Sequence, residues 1–151
     1  MLPILLIVFL HCMLFIGNDV RAGTLTPEGK WKTISDKTGK ATSIVRIWKE
    51  KDKLFGKVEV VIPQEGKDPN PLCHKCTGER KDLPITGMKI LWDLTQNEDG
   101  WEGGYILDPN DGKTYSCLIH VVDDGNKLEV RGYVGFSLLG RTQYWQRVET
   151  P

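Results

Sequence analysis

The sequence predicts an all-β domain of eight antiparallel strands, and three observations carry that expectation. Apolar residues recur with a period close to two after Gly23, and no helical stripe lasts longer than two turns. The breaks between apolar runs hold Asp, Asn and Gly, the residues that tight turns require. The spacing is that of hairpins, with no crossover helices, so the strands form an antiparallel sandwich or barrel.

The strands follow in order. Gly29–Ser35 ends at Asp36-Lys37-Thr38-Gly39, and Thr42–Lys49 leads into Leu54–Ile62. Met88–Leu94 is closed by Asn97-Glu98-Asp99-Gly100, and Trp101–Leu107 by Asp108-Pro109-Asn110-Asp111-Gly112. Thr114–Val122 ends at Asp123-Asp124-Gly125-Asn126, Lys127–Val134 follows, and Gln143–Val148 is last. These turns supply side-chain acceptors and glycines for positive φ.

Alternation sorts the faces. Leu54, Val58, Val60 and Ile62 share one side, opposite Lys57 and Glu59. Tyr115, Cys117, Ile119 and Val121 form a second apolar set, and Leu128, Val130, Gly132 and Val134 a third, opposite Lys127, Glu129 and Arg131. Eight strands closed on themselves leave no exposed edge and enclose a core that side chains fill or that holds one small ligand. The segment 63–87 breaks the rhythm. It is rich in Pro and Gly, too long for a hairpin loop, and contains Cys73-His74-Lys75-Cys76.

The N-terminus reads as a signal peptide. Leu2 to Ile16 is an apolar run broken only by Pro3, His11 and Cys12, followed by Gly17-Asn18-Asp19 and then Val20-Arg21-Ala22-Gly23. The run is shorter than the roughly 20 residues of a bilayer span. No Lys or Arg precedes it, which a mis-assigned initiation site or an uncleaved N-terminal anchor would explain. Cys12 follows His11, and a lipidated Cys needs a small residue before it. The expected organisation is a signal peptide over 1–22 and one domain over 23–151, exported to a periplasm or secreted, with no membrane span in the mature protein. Twenty basic and 20 acidic residues balance, so there is no general attraction for nucleic acid.

Several motifs recur in order along this chain: Gly29-x-Trp31, Cys73-x-x-Cys76, Trp101-x-Gly103-Gly104-x-Ile106, Asp108-Pro109-x-x-Gly112-Lys113-x-Tyr115, Leu128-x-Val130-Arg131-Gly132-Tyr133 and Leu139-Gly140-Arg141-Thr142-Gln143-x-Trp145-x-Arg147. Together they resemble the bacterial domain of unknown function 2147 family, exported proteins with a lipocalin-like (calycin) barrel. The resemblance implies an up-and-down eight-stranded β-barrel with one long Pro/Gly-rich loop, and no established reaction. It also implies that Trp31 packs at the closed end under a late Arg, with Arg147 the matching residue and Arg141 the second choice.

In an oxidising compartment Cys73 and Cys76 are expected to form a disulfide that orders their loop. The alternatives are a redox pair, favoured by His74 and Lys75 but lacking a strand-to-helix setting, and a metal site joined by His74, Cys117 or His120. Cys117 reads as a buried small hydrophobe, or else as the partner in an intermolecular disulfide. His74 and His120 make no defensible catalytic pair, and Glu102, Asp108 and Asp123 read as strand-end or turn residues. Gly103-Gly104 falls inside a strand, where it allows bending or close backbone approach. Among the aromatics, Trp48, Trp92 and Tyr115, with Arg131, are the expected lining of a cavity. The expected function is binding of a small, partly apolar ligand or a protein partner, without catalysis, cofactor or metal. A thiol or metal protein acting through Cys73 and Cys76, and a structural envelope protein with a filled barrel, are the alternatives.

Overall fold

Eight strands pair each with the next, and the last returns to the first, to close an antiparallel up-and-down barrel. They are β1 (Gly29–Ile34), β2 (Ala41–Glu50), β3 (Lys53–Val61), β4 (Lys89–Gln96), β5 (Trp101–Asp108), β6 (Lys113–Val122), β7 (Lys127–Tyr133) and β8 (Gly140–Arg147). This computed structural model describes residues 25–149. The expected signal peptide and Cys12 lie outside the described residues. No helix among the described residues is long and apolar enough to cross a membrane.

The turn chemistry works as the residue types dictate. Asn97 Oδ1 accepts from the backbone N–H of Asp99 and Gly100 (3.1 and 2.7 Å), and Asp108 Oδ1 accepts from that of Asn110 at 2.9 Å. Gly39 and Gly112 complete their turns at φ of 67° and 74°.

The meander gives the barrel two unlike ends. The β2–β3, β4–β5 and β6–β7 turns meet both ends of the described chain at one end, which is closed. Trp31 is fully buried there, and its Nε1 donates to Pro27 O at 2.8 Å. The Arg147 guanidinium lies 4.1 Å above the Trp31 ring and donates to the carbonyls of Thr26, Glu28 and Gly125. Above this floor, Val45, Leu54, Leu91, Leu94, Cys117, Ile119 and Leu128 present no accessible surface at all. The closed half and middle of the barrel are therefore packed, with no water-sized void against these side chains.

Two expectations about faces are corrected. Val60 does not share a side with Val58: Ile44 pairs with Val60 but Val45 with Val58, so Glu59 is an extra residue and the alternation slips by one. Val61 packs on the core instead, and Val60 is exposed. Val134 lies beyond the end of β7 and is exposed. The last strand also begins three residues earlier than expected, because Tyr133 pairs with Gly140.

The loop from 62 to 88 leaves the open end and folds back over the outer wall. Leu91 and Ile106 pair across β4 and β5, and Leu91 is fully buried among the interior side chains. Their neighbours Ile90 and Leu107 therefore face outward, yet both are buried. The loop covers them. Cys73 Sγ reaches Pro109 O at 3.6 Å, Arg80 lies 4.7 Å over Trp92, and Gly87 N–H donates to Val58 O at 2.7 Å.

Candidate functional site

At the open end, several interior strand positions carry polar side chains that reach water, beside the apolar Val61 and Ile106 that pair with two of them. Thr33 and Ser43 are paired directly opposite each other, one inward step above the buried Trp31–Val45 pair. Their hydroxyls meet at 2.7 Å. On β8 the register with β7 runs without a break, so Gln143 and Arg141 follow Trp145 on the inward face. Trp145 Nε1 approaches Gln143 Oε1 at 3.4 Å. Tyr115 follows Cys117 and Ile119 on β6 in the same way. Diagonal to it, Gly132 pairs with Cys117 and has no side chain, and a Cβ there would sit 3.5 Å from Ile106 and Tyr115.

Charged turn residues lean over this mouth. Arg141 Nε donates to Asp36 Oδ2 at 2.8 Å, Arg141 Nη2 donates to the same oxygen, and Gln143 Nε2 approaches it at 3.5 Å. The Arg141 bond holds the Asp36 carboxyl below its usual range. Tyr115 OH donates to Asp111 Oδ2 at 2.5 Å, which pushes the phenol up to about 12. The folded state thus holds the phenolic proton more tightly than the unfolded chain. This bond's stabilisation is complete below about pH 10 and is lost as pH rises toward 12. An absorbance titration should therefore show a late tyrosine ionisation that disappears in Tyr115→Phe.

The expected lining set is only partly realised. Tyr115 faces inward at the mouth. Trp48 and Trp92 instead lie on the outer wall, because each sits next to an inward residue, Ile47 and Leu91, in the alternation. Trp48 stacks on Phe55 with ring centres 6.0 Å apart, and Trp92 meets Tyr105 at 5.9 Å. Arg131 also points outward, between inward Val130 and Gly132, and donates to Ser137 O, Leu138 O and Thr142 Oγ1. It clamps the β7–β8 loop rather than lining a cavity. Arg141 and Gln143 line the mouth in their stead, and their signal is the alternation counted back from Trp145.

A family model described as "Uncharacterized protein conserved in bacteria (DUF2147)" matches residues 29–147. The chain belongs to this family. The DUF2147 barrel is similar to a solved structure reported as "Protein HP1028 from the human pathogen Helicobacter pylori belongs to the lipocalin family". The two share 20% identity over 83% of this chain and 85% of that one, with a TM-score of 0.70, a likeness of fold. No curated protein matches the chain.

In this DUF2147 chain Cys73 and Cys76 form a disulfide with Cα atoms 5.3 Å apart, and both residues are buried between loop and wall. His74 turns away to Asp82, 2.7 Å from its Nδ1. Cys117 faces the packed interior, where burial pushes its thiol far up, and His120 pairs with Glu129 at 3.2 Å on the outer wall. The sulfurs and imidazoles thus sit in separate places. No group of three metal-ligating side chains is assembled among the described residues. Replacing Cys73 and Cys76 by Ala should cost about 2 kcal/mol, the loop-closure entropy of so short a ring. Limited proteolysis should then cut first within 63–87.

Two shallow recesses lie outside the closed end. One, about 260 Å³, is bounded by Lys49, Asp52, Thr95, Gln96 and Trp101. The other, about 520 Å³, is bounded by Val122, Asp123, Lys127 and Tyr144. Neither gathers the inward-facing donors and acceptors that the mouth does.

Proposed function

We propose that this protein is an exported, non-catalytic binding barrel that holds a small, partly apolar molecule by its polar end at the open mouth. One observation carries the reading: inward positions of β1, β2, β6 and β8 are polar and solvated at the mouth beside apolar Val61 and Ile106, above a barrel packed from its middle to its floor. Because they are solvated, these groups offer donors and acceptors to a ligand's polar end at no cost of burial in the free protein, whereas unpartnered polar groups deeper in the packed interior would lose hydration free energy. The depth available restricts the ligand to one that sits in the rim rather than threading the barrel. Export is supported by the apolar N-terminus and by the Cys73–Cys76 bond, which suits an oxidising compartment.

The thiol alternative finds less support, since both sulfurs are buried and a redox pair must be reached by its partner thiol. Native mass spectrometry of protein purified gently from its host tests the reading. The expected spectrum contains a retained small molecule that is lost when the mouth residues Thr33 and Gln143 are replaced by Val and Leu. A spectrum showing only the bare chain, or a turnover that depends on Cys73 or His74, would overturn it.

A further inference from the structure

Arg141 carries its guanidinium at the rim of the mouth, where it is open to solvent and already pairs with a carboxylate. It stands on an inward position of β8, beyond Gln143 and Trp145, so its charge is directed over the mouth. Its present partner fits it incompletely. An arginine fork matches a carboxylate best through two parallel bonds to two oxygens. Here Nε and Nη2 converge on one oxygen, Asp36 Oδ2, and Gln143 Nε2 approaches that same atom. Asp36 belongs to the β1–β2 turn, whose closing bonds, Gly39 N–H to Ser35 O at 2.8 Å and Ser35 N–H to Lys40 O at 2.9 Å, hold it at the rim. The pair is also about half exposed, 60% and 46% by side chain, so opening it costs little.

We propose that Arg141 is the carboxylate-binding group of the mouth and that Asp36 is a stand-in, displaced when a ligand carboxylate takes the fork. This deepens the binding reading above and rests on it. The rim narrows the ligand class further. Asp108 and Asp111 act on Arg141 from the β5–β6 turn, and Asp111 accepts from Tyr115. With these acids nearby, the mouth accepts a single carboxylate and repels a polyanion. The ligand is a small monocarboxylate whose remainder is neutral or donates hydrogen bonds.

The test uses two probes of one shape, 4-methylpentanoate and its neutral amide, titrated into the ¹⁵N-labelled exported protein. The carboxylate is expected to shift the Arg141 Nε–H and Gln143 side-chain signals, and citrate to shift them less. Asp36→Asn removes the competitor and should tighten carboxylate binding about two- to fivefold, the factor from freeing an exposed ion pair, while leaving the amide unchanged. Arg141→Gln should abolish the preference for carboxylate over amide. Both positions are half exposed, so both variants fold, as unchanged backbone amide dispersion will show. Equal shifts by acid and amide, indifferent to Asp36→Asn, would overturn the Arg141 assignment while leaving binding at the mouth intact. Silence of the mouth toward the carboxylate even in Asp36→Asn would overturn it too, and the mass-spectrometric result would then judge the mouth separately.

Discussion

Trp31→Ala is expected to destabilise the barrel by about 3–5 kcal/mol, the cost of removing a large aromatic from a fully buried site. Domains of this kind are stable by roughly 5–15 kcal/mol, so the variant would stand near the edge of folding. The cost has more than one source. The indole fills the floor, donates to Pro27 O, and offers its face to Arg147, whose other bonds tie the segment just before β1 to the β6–β7 turn. Trp31→Phe keeps most of the filling and loses the Nε1 bond, for about 1–2 kcal/mol. Urea unfolding followed by circular dichroism separates the two variants. A loss below about 1 kcal/mol for Trp31→Ala would show that the floor is not sealed by this residue.

Gly104→Ala should be as severe, although it adds a single methyl group. A Cβ there would lie 2.3 Å from Trp92 O and 2.4 Å from Leu94 N, both backbone atoms of β4. Neither can rotate aside, so β4 and β5 must separate along their ladder, and a loss above about 3 kcal/mol is expected. Gly103 provides the contrast. It carries φ of 77° beside a bulge opposite β6, and a Cβ there would meet only Thr95 Oγ1 at 3.7 Å. Gly103→Ala then costs only the left-handed conformation, about 1–2 kcal/mol. Thermal unfolding of the pair decides the matter, and equal losses would refute the close-approach account of Gly104.

The glycine pair also shows how far residue patterns reach. Bending or close approach is expected of Gly103-Gly104, and the structure gives one role to each residue. Which glycine does which depends on a bulge with no residue signature of its own. The eight strands are legible because one buried face imposes a period of two and because Asp, Asn and Gly mark the turns. The face of a single residue is not always legible. Glu59 displaces Val60 by one step, and nothing in the local pattern announces it. Trp48 and Trp92 resemble cavity residues because aromatics favour cavities, but parity with Ile47 and Leu91 sends them outward. Arg141 is hidden for the opposite reason. A charged residue inside a barrel breaks the apolar alternation by which strands are recognised, so the first residues of β8 read as loop. Arg147 covers Trp31 as its motif implies, whereas Arg141, the second choice for that place, reaches Asp36 at the opposite end.

The two ends of the barrel have a consequence for how the molecule stands relative to a surface. The described chain enters at Leu25 beside the closed end, and Val148 N–H donates back to Lys30 O there, so both ends of the described chain leave from the floor. Any tether attached through either one would therefore meet the barrel at its floor, on the side away from Arg141 and its neighbours. The same geometry leaves the mouth clear of an added fusion or immobilisation tag at either side of the domain.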